Sequence, residues 1–366
     1  MPPRSTELSA TSGARRVRWH GVDAARGLAI IGMMAAHTWP RGDDYGELLV
    51  DGRPSVLFAV VAGVALGIVS GASTPPTERR KAARGKVAIR ASILIILGLL
   101  LWMLPSGIAI ILDGYGVMFL LLVPLLFAPR WVLAAVAVGL LVTAPLVRDR
   151  VVELTGVGPT GPGALLEAPW ATVVDWLITG YYPALLWLPL LLAGLICARS
   201  GLERTRVRVV MLVLGGAASV IGYGSAAVIE GVDASAHSGS PAELLGAGGL
   251  AIAIIAAALL ALDGTPPRRI ALFIAAPLTA LGRVALTVYT AHVLIIAALE
   301  PFGPAGLFDA SVGIPLFIGM VLGGIVFGLV MQAIGRQGPL EWALSTLAGL
   351  PFRSDGTQAT APAARA

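Results

Sequence analysis

Apolar stretches, each about the length of a bilayer-crossing helix, recur along nearly the whole chain and are separated by short polar segments. In lipid every backbone polar group has to be paired within the protein, so an apolar run of about 20 residues reads as a spanning helix and not as a strand. Such windows fall at 22–39, 55–72, 87–104, 107–127, 130–147, 181–198, 207–229, 243–262, 283–299 and 312–334. They predict an all-α, polytopic transmembrane bundle of about ten helices. Only Pro105, Ser106 and Gly107 separate the third window from the fourth. The stretch 270–282, which follows Pro266 and Pro267 and contains Pro277, is too short to cross alone. It either lies along the interface or lengthens the ninth helix across a kink.

Composition supports lipid as the main solvent: 57% of residues are hydrophobic, 13% are charged, and the mean hydropathy is +0.85. The 45 glycines and 25 prolines fit membrane helices, in which small residues allow close packing. A net charge of +5 raises the question of nucleic acid, but the basic residues sit between apolar windows and form no patch with interleaved aromatics. They are better read as topology signals, and no nucleic-acid partner is expected. The single cysteine, Cys197, excludes an internal disulfide, and no CxxC or Cys/His cluster suggests a metal site. No cleavage signal follows the N-terminal arginines, so the first apolar run is expected to stay as a helix.

Counting Lys and Arg by loop orients the bundle. The N-terminal tail carries Arg4, Arg15, Arg16 and Arg18; six basic residues lie at 79–90 and four at 199–208; Arg130, Arg268, Arg269, Arg336 and Arg353 complete the same side. Those loops are expected in the cytoplasm, with both termini. The alternate loops hold few basic residues among many acidic ones, including Asp43, Asp44, Glu47 and Asp51, and are expected outside. The expected organisation is a basic cytoplasmic tail at 1–18, a transmembrane domain at 19–350 and a disordered cytoplasmic tail at 351–366. The longest outward loop, about 148–180, contains GVGPTGPG at 156–163 and either covers an outer cavity or merely connects two helices.

A polar side chain at bilayer depth costs about 2.5 to 3.5 kcal/mol on insertion scales, so each one calls for a partner or a task. The first helix carries Asp23, Arg26 and His37 on one stripe, with Arg26 and His37 within about 20° of each other at 100° per residue. Asp23 and Arg26 either anchor the helix at the interface or hold an anionic ligand; His37 is either a bonded interfacial histidine or a reactive one. The ninth window has Arg283 at its inner end and His292 nearer the middle, on opposite faces if the helix is straight. Asp113, in an otherwise apolar run, calls for a histidine or arginine partner. Arg53 and Ser55 open the second helix at the level of His37, where an N-terminus beside an arginine suits an anionic group, and where Ser55 could equally be a simple cap. Gly63 and Gly67 form a small-residue face for close packing.

With those residues in view, RVRWHGVDAARGLAIIGMMAAH at 16–37, GRPSVLFAVVAGVALG at 52–67, GRVALTVYTAHVLI at 282–295 and GPLEWAL at 338–344 resemble the bacterial heparan-α-glucosaminide N-acetyltransferase-like membrane proteins and the related YeiB-like family. The D-x-x-R-G and GPLEW elements carry most of the likeness. The resemblance implies transmembrane acyl transfer from cytoplasmic acyl-CoA, with acetyl-CoA the expected donor, to an envelope glycan or glycolipid at the outer face of the plasma membrane. It implies an active-site histidine on the outer side, for which His37 is the matching candidate.

The chemistry is compatible: neutral imidazole can act as base or nucleophile near pH 7, so His37 or His292 could serve, with Asp113 as orienting carboxylate. Asp23, Arg26, Arg84, Lys86, Arg90 and Arg283 are candidates for the CoA phosphates, although topology alone also accounts for basic residues at that level. Arg53 and Ser55 are candidates for the acceptor. A homodimer is compatible with the pattern. The rival reading is a transporter or flippase whose path is lined by the same Arg, His and Asp residues.

Overall fold

The computed structural model describes residues 18–40, 51–75, 78, 80–156, 168–264, 268–299 and 308–349. Helix is the only regular secondary structure among them. In order the helices are α1 (His20–Thr38), α2 (Arg53–Val69), α3 (Arg80–Trp102), α4 (Leu112–Leu122), α5 (Arg130–Thr155), α6 (Pro169–Val174) continued by a π-helical turn (Asp175–Thr179), α7 (Ala184–Arg199), α8 (Thr205–Val228), α9 (Pro241–Leu262), α10 (Arg269–Ile274), α11 (Ala276–Arg283), α12 (Ala285–Ala298), α13 (Ala310–Ala333) and α14 (Pro339–Gly349). The arginines of the tail up to residue 17, the acidic residues Asp43, Asp44 and Glu47, the glycine-proline run at 157–163 and the tail at 351–366 lie outside the described residues.

Five helices, α3, α5, α8, α9 and α13, are long and apolar enough to cross a bilayer singly; counting each bent pair, α6 with α7 and α11 with α12, as one broken span raises the number to seven. Helices α2 and α4 are short, and α1 carries Asp23, Arg26 and His37, so these three rely on neighbours. Indeed α1, α2 and α7 are lined with buried residues, whereas α5, α8 and α13 turn Val138, Val142, Val220, Ile221, Leu322 and Val326 outward. A helix shielded by other helices can carry polar groups; one that faces lipid cannot.

The inner helices are drawn together by glycine. Gly63 of α2 faces the Leu191 carbonyl of α7, and Gly194 of α7 faces the Val60 carbonyl of α2, so closely that a Cβ at either would overlap backbone. The small-residue face read from Gly63 and Gly67 is thus a packing face. Gly63→Val is expected to force α2 and α7 apart and to lower stability by about 1–3 kcal/mol, the usual cost of overpacking, checked by thermal unfolding in lipid.

Two windows departed from a simple span. The run expected at 107–127 yields only the eleven-residue α4, and residues 103–111 are not helical. Non-helical backbone at this depth is tolerated where protein surrounds it and satisfies its polar groups. Ile108, Ile110 and Ile111 are buried, and the Ile111 N–H donates to the Tyr289 hydroxyl at 3.3 Å. The stretch 270–282 leads into the ninth window across a sharp bend. It forms α10 and α11, and α11 meets α12 at a 79° bend at Val284. Arg283 and His292 therefore sit on different helices, and the expectation of opposite faces on one straight helix lapses.

GPLEW has a structural task at that bend. Glu341 of α14 accepts from the Leu286 N–H (2.7 Å), the Thr287 N–H (3.1 Å) and the Thr287 hydroxyl (2.6 Å), capping the N-terminus of α12 with a carboxylate. Asp263 at the end of α9 does the same for α1, accepting from the backbone N–H groups of His20 (2.9 Å) and Gly21 (2.7 Å). Two arginines read as topology signals are buried clamps. Arg199 donates to the carbonyls of Ala72 (2.6 Å) and Leu126 (2.9 Å) and to the Ser70 hydroxyl (2.8 Å); Arg208 donates to the carbonyls of Leu202, Leu259 and Asp263.

Candidate functional site

Helix direction separates the polar residues into two ends. At the start of α1, Asp23 accepts from Arg18 Nε (2.8 Å) and Arg26 Nη1 (3.2 Å), and Arg26 also donates to the Gly282 carbonyl (3.3 Å). Arg283 lies within electrostatic reach of both Arg18 and Asp23. The D-x-x-R-G element is thus an ion cluster beside a close crossing, in which Gly27 and Gly282 let α1 and α11 approach. Arg84 belongs elsewhere: it donates to the Pro124 carbonyl (3.2 Å) and shares the Phe127 ring with Arg80 and Arg199. Lys86 is exposed and Arg90 half-buried on the same helix. The expected cationic site is therefore two groups, one around Asp23 and one around Phe127.

At the other end of α1, His37 meets His292 of α12. Nδ1 of His37 lies 3.1 Å from Nε2 of His292, and the rings stack with an interplanar angle of 8°. One imidazole donates and the other accepts, so the pair shares one N–H. The Nδ1 of His292 has no partner of good geometry and lies near the Val288 and Tyr289 carbonyls, which can only accept. That environment assigns a proton to this Nδ1, makes Nε2 of His292 the acceptor from His37 Nδ1–H, and leaves the lone pair of His37 on its Nε2. The bend at Val284 and the Tyr289 contact with residue 111 bring α12 to this position.

His37 lines a cavity of about 340 Å³ together with Asp51, Ser55, Ser106, Tyr182 and His237, and His292 lines an apolar groove of about 420 Å³ between α12 and α13. The non-helical segment around Ser106 forms one wall of the polar cavity, which is where irregular backbone in a membrane protein belongs. Ser55 Oγ donates to the Gly52 carbonyl (2.6 Å), and Tyr115 donates to the Ser55 carbonyl (3.0 Å). The N-cap is Gly52, with φ of +66°, so Ser55 is not the cap. Arg53 does not line the cavity; its guanidinium lies over the Tyr223 ring at 5.0 Å. Asp113 lies apart as well. Its Oδ2 accepts from the Trp176 indole at 2.8 Å, so its partner is neither histidine nor arginine. The π turn that carries Trp176 is not visible in an apolar pattern, which is why the pairing was missed.

Sequence reasoning also missed His237 and Asp51. His237 Nε2 lies 3.8 Å from Asp51 Oδ1, and its ring packs against Tyr181, Tyr182 and Trp187. Burial pushes this imidazole below its ordinary value, against the pull of Asp51. The only signal in the chain was that His237 is one of four histidines and stands in a polar loop, SAHSGS.

An imidazole pair, one ring buried and the other half-buried, and a polar cavity at one end, with arginines at the other end of the same helix, suit group transfer to or from a charged carrier. The model of a family described as an acyltransferase domain, the acyltransferase 3 family, matches residues 19–332, most of the chain. This chain belongs to the acyltransferase 3 family. No curated protein matches it. Membership together with the apolar helices identifies a helical membrane acyltransferase. The family match is broader than the heparan-α-glucosaminide N-acetyltransferase-like and YeiB-like resemblance. It covers α1 to α13, including both histidines of the pair and the Asp23 cluster.

Proposed function

We propose that this acyltransferase 3 protein, in the plasma membrane, moves an acyl group from cytoplasmic acyl-CoA to a hydroxyl or amine of an envelope glycan or glycolipid at the outer face. The D-x-x-R-G and GPLEW elements support the finer kinship with the heparan-α-glucosaminide N-acetyltransferase-like and YeiB-like proteins. The observation that carries the reading is the His37–His292 pair, set at the cavity end of the helix that begins with Asp23 and Arg26. On this reading Arg26 and Arg283 receive the CoA phosphates, with Asp23 fixing Arg26, and the Arg84, Lys86 and Arg90 surface adds further cations. Eleven residues of helix separate Arg26 from His37, about 16 Å at 1.5 Å per residue, the distance the pantetheine arm has to bridge.

In the transfer step His37 Nε2 takes the proton of the acceptor hydroxyl as its oxygen attacks the thioester carbonyl. The carbon–sulfur bond breaks, and the proton passes from His37 to the departing CoA thiolate. His292 holds the ring of His37 and its tautomer. The test uses the purified protein in lipid with radiolabelled acetyl-CoA and envelope extract. Saturable CoA binding and label transfer support the reading; no CoA binding defeats it.

The apolar groove beside His292 is the place for the acyl chain. Gly319 and Gly323 of α13 line it, and a Cβ at either would meet no protein atom within 4 Å. Gly323→Leu is therefore expected to fold normally and to spare acetyl transfer while lowering turnover of octanoyl-CoA about tenfold, the effect of one or two displaced methylenes in an apolar pocket. A donor chain-length series on both proteins checks it.

A further inference from the structure

The loop before α9 is built at some cost to present one side chain. His237 has φ of +61°, the left-handed region, which few residues other than glycine occupy, although histidine enters it more readily than most. Glu243, buried in the first turn of α9, holds it there by accepting from the backbone N–H groups of His237 (2.6 Å) and Gly239 (2.6 Å) and from the Ser238 hydroxyl (3.1 Å). Arg148 closes the far side by donating to the Ser238 carbonyl at 2.5 Å. A strained residue fixed from several directions is a recognised mark of a working site.

What the loop presents is a set of groups for a hydroxylated ring. The His237 Nε2 and Asp51 Oδ1 are 3.8 Å apart, too far to bond each other directly, so a hydroxyl between them can bond to both. The His237 Nδ1 is buried with no hydrogen-bond partner among the described residues. Burial favours the neutral ring, which can accept as well as donate. Tyr181, 45% exposed, lies with its ring centroid 4.4 Å from that of His237 and offers an apolar face beside these polar groups. His37 lines the same cavity, so a molecule held here stands beside the imidazole pair. Asp51 disfavours an anion, which turns the choice from phosphorylated headgroups toward a neutral sugar.

We propose that His237, Asp51 and Tyr181 form the acceptor subsite and bind an uncharged sugar, Asp51 and His237 bonding its hydroxyls and Tyr181 covering its apolar face. The assignment of this sugar as acceptor rests on the acyltransferase reading above, but its binding does not require turnover. The test is saturation-transfer NMR on the full chain in lipid nanodiscs, with methyl glucoside, methyl galactoside and methyl N-acetylglucosaminide as probes. Wild type is expected to transfer saturation to sugar ring protons. Asp51→Asn and His237→Asn are expected to weaken binding about fivefold or more, the equivalent of one lost hydrogen bond. Asparagine tolerates positive φ, so His237→Asn keeps the loop, and Asp51 is exposed enough for its replacement to fold. Equal binding in both variants and wild type, or no saturation transfer to any of the three sugars, overturns the subsite. Sugar binding that depends on these residues in a protein that never binds acyl-CoA would count against the acyltransferase reading and leave the subsite standing.

Discussion

His37→Gln is expected to remove acyl transfer almost entirely, with kcat falling by about 10²–10⁴, the usual contribution of a general base. Glutamine can keep a hydrogen bond toward His292 but has no lone pair able to take the acceptor proton near neutral pH. The second member of the pair should behave differently. His292 Nε2 is 3.1 Å from His37 Nδ1 and acts on the reaction only through it, so His292→Gln is expected to lose about 10–100-fold, as when an orienting partner is removed from a functional histidine. The pH profile separates the two roles. His292→Gln should shift the acidic limb, where the rate falls as His37 takes up a proton, whereas His37→Gln should leave no such limb. Asp113→Asn should change little, because the amide oxygen can still accept from the Trp176 indole. Rates are measured as label transfer from acetyl-CoA to envelope acceptor, per folded protein. A His37→Gln protein with a normal rate beside an inactive His292→Gln protein would place the base on α12.

Arg199→Met is expected to be the most damaging single change to stability away from the cavity. The Arg199 guanidinium joins the last turn of α2, the chain beyond it at Ala72, and the Leu126 carbonyl beyond α4. Its charge faces carbonyl oxygens, where the negative ends of helices accumulate, and it lies over the Phe127 ring, 5.7 Å from the ring centroid. Methionine fills the volume but leaves two carbonyls without donors, and bonds from a charged group are worth about 1.5–3 kcal/mol each. A loss of about 3 kcal/mol or more is expected, read as a lower unfolding temperature in lipid nanodiscs. Protein that remains folded should transfer at the wild-type rate, since Arg199 does not line the cavity of His37.

The two residues show how far the chain alone could be read. Arg26 and His37 could be placed on one stripe of one helix because the α-helical period is local and reliable over eleven residues. Arg199 was equally visible, yet as part of a basic loop it carried only orientation. That it is buried against two other segments depends on where α2 and α4 end, and helix ends are set by partners. The same holds for His237, which sequence gives as one residue of a polar loop. Its position against Asp51 requires the ends of α2 and α9 to meet, although they lie far apart in the chain.

What the sequence by itself determined is the class of solvent, the existence of most helices, the small-residue face on α2, and the division of polar residues between two ends of the bundle. These follow from hydrophobic period and charge count, which act within a turn or a loop. Only the tertiary structure decided that residues 103–111 unwind, that the chain bends by 79° at Val284, that His37 pairs with His292 while Asp113 pairs with Trp176, and that two loop arginines become clamps. The reason is physical. At bilayer depth each polar group has to find its partner inside the protein, and which partner is in reach is set by the glycine crossings that fix how closely the helices approach.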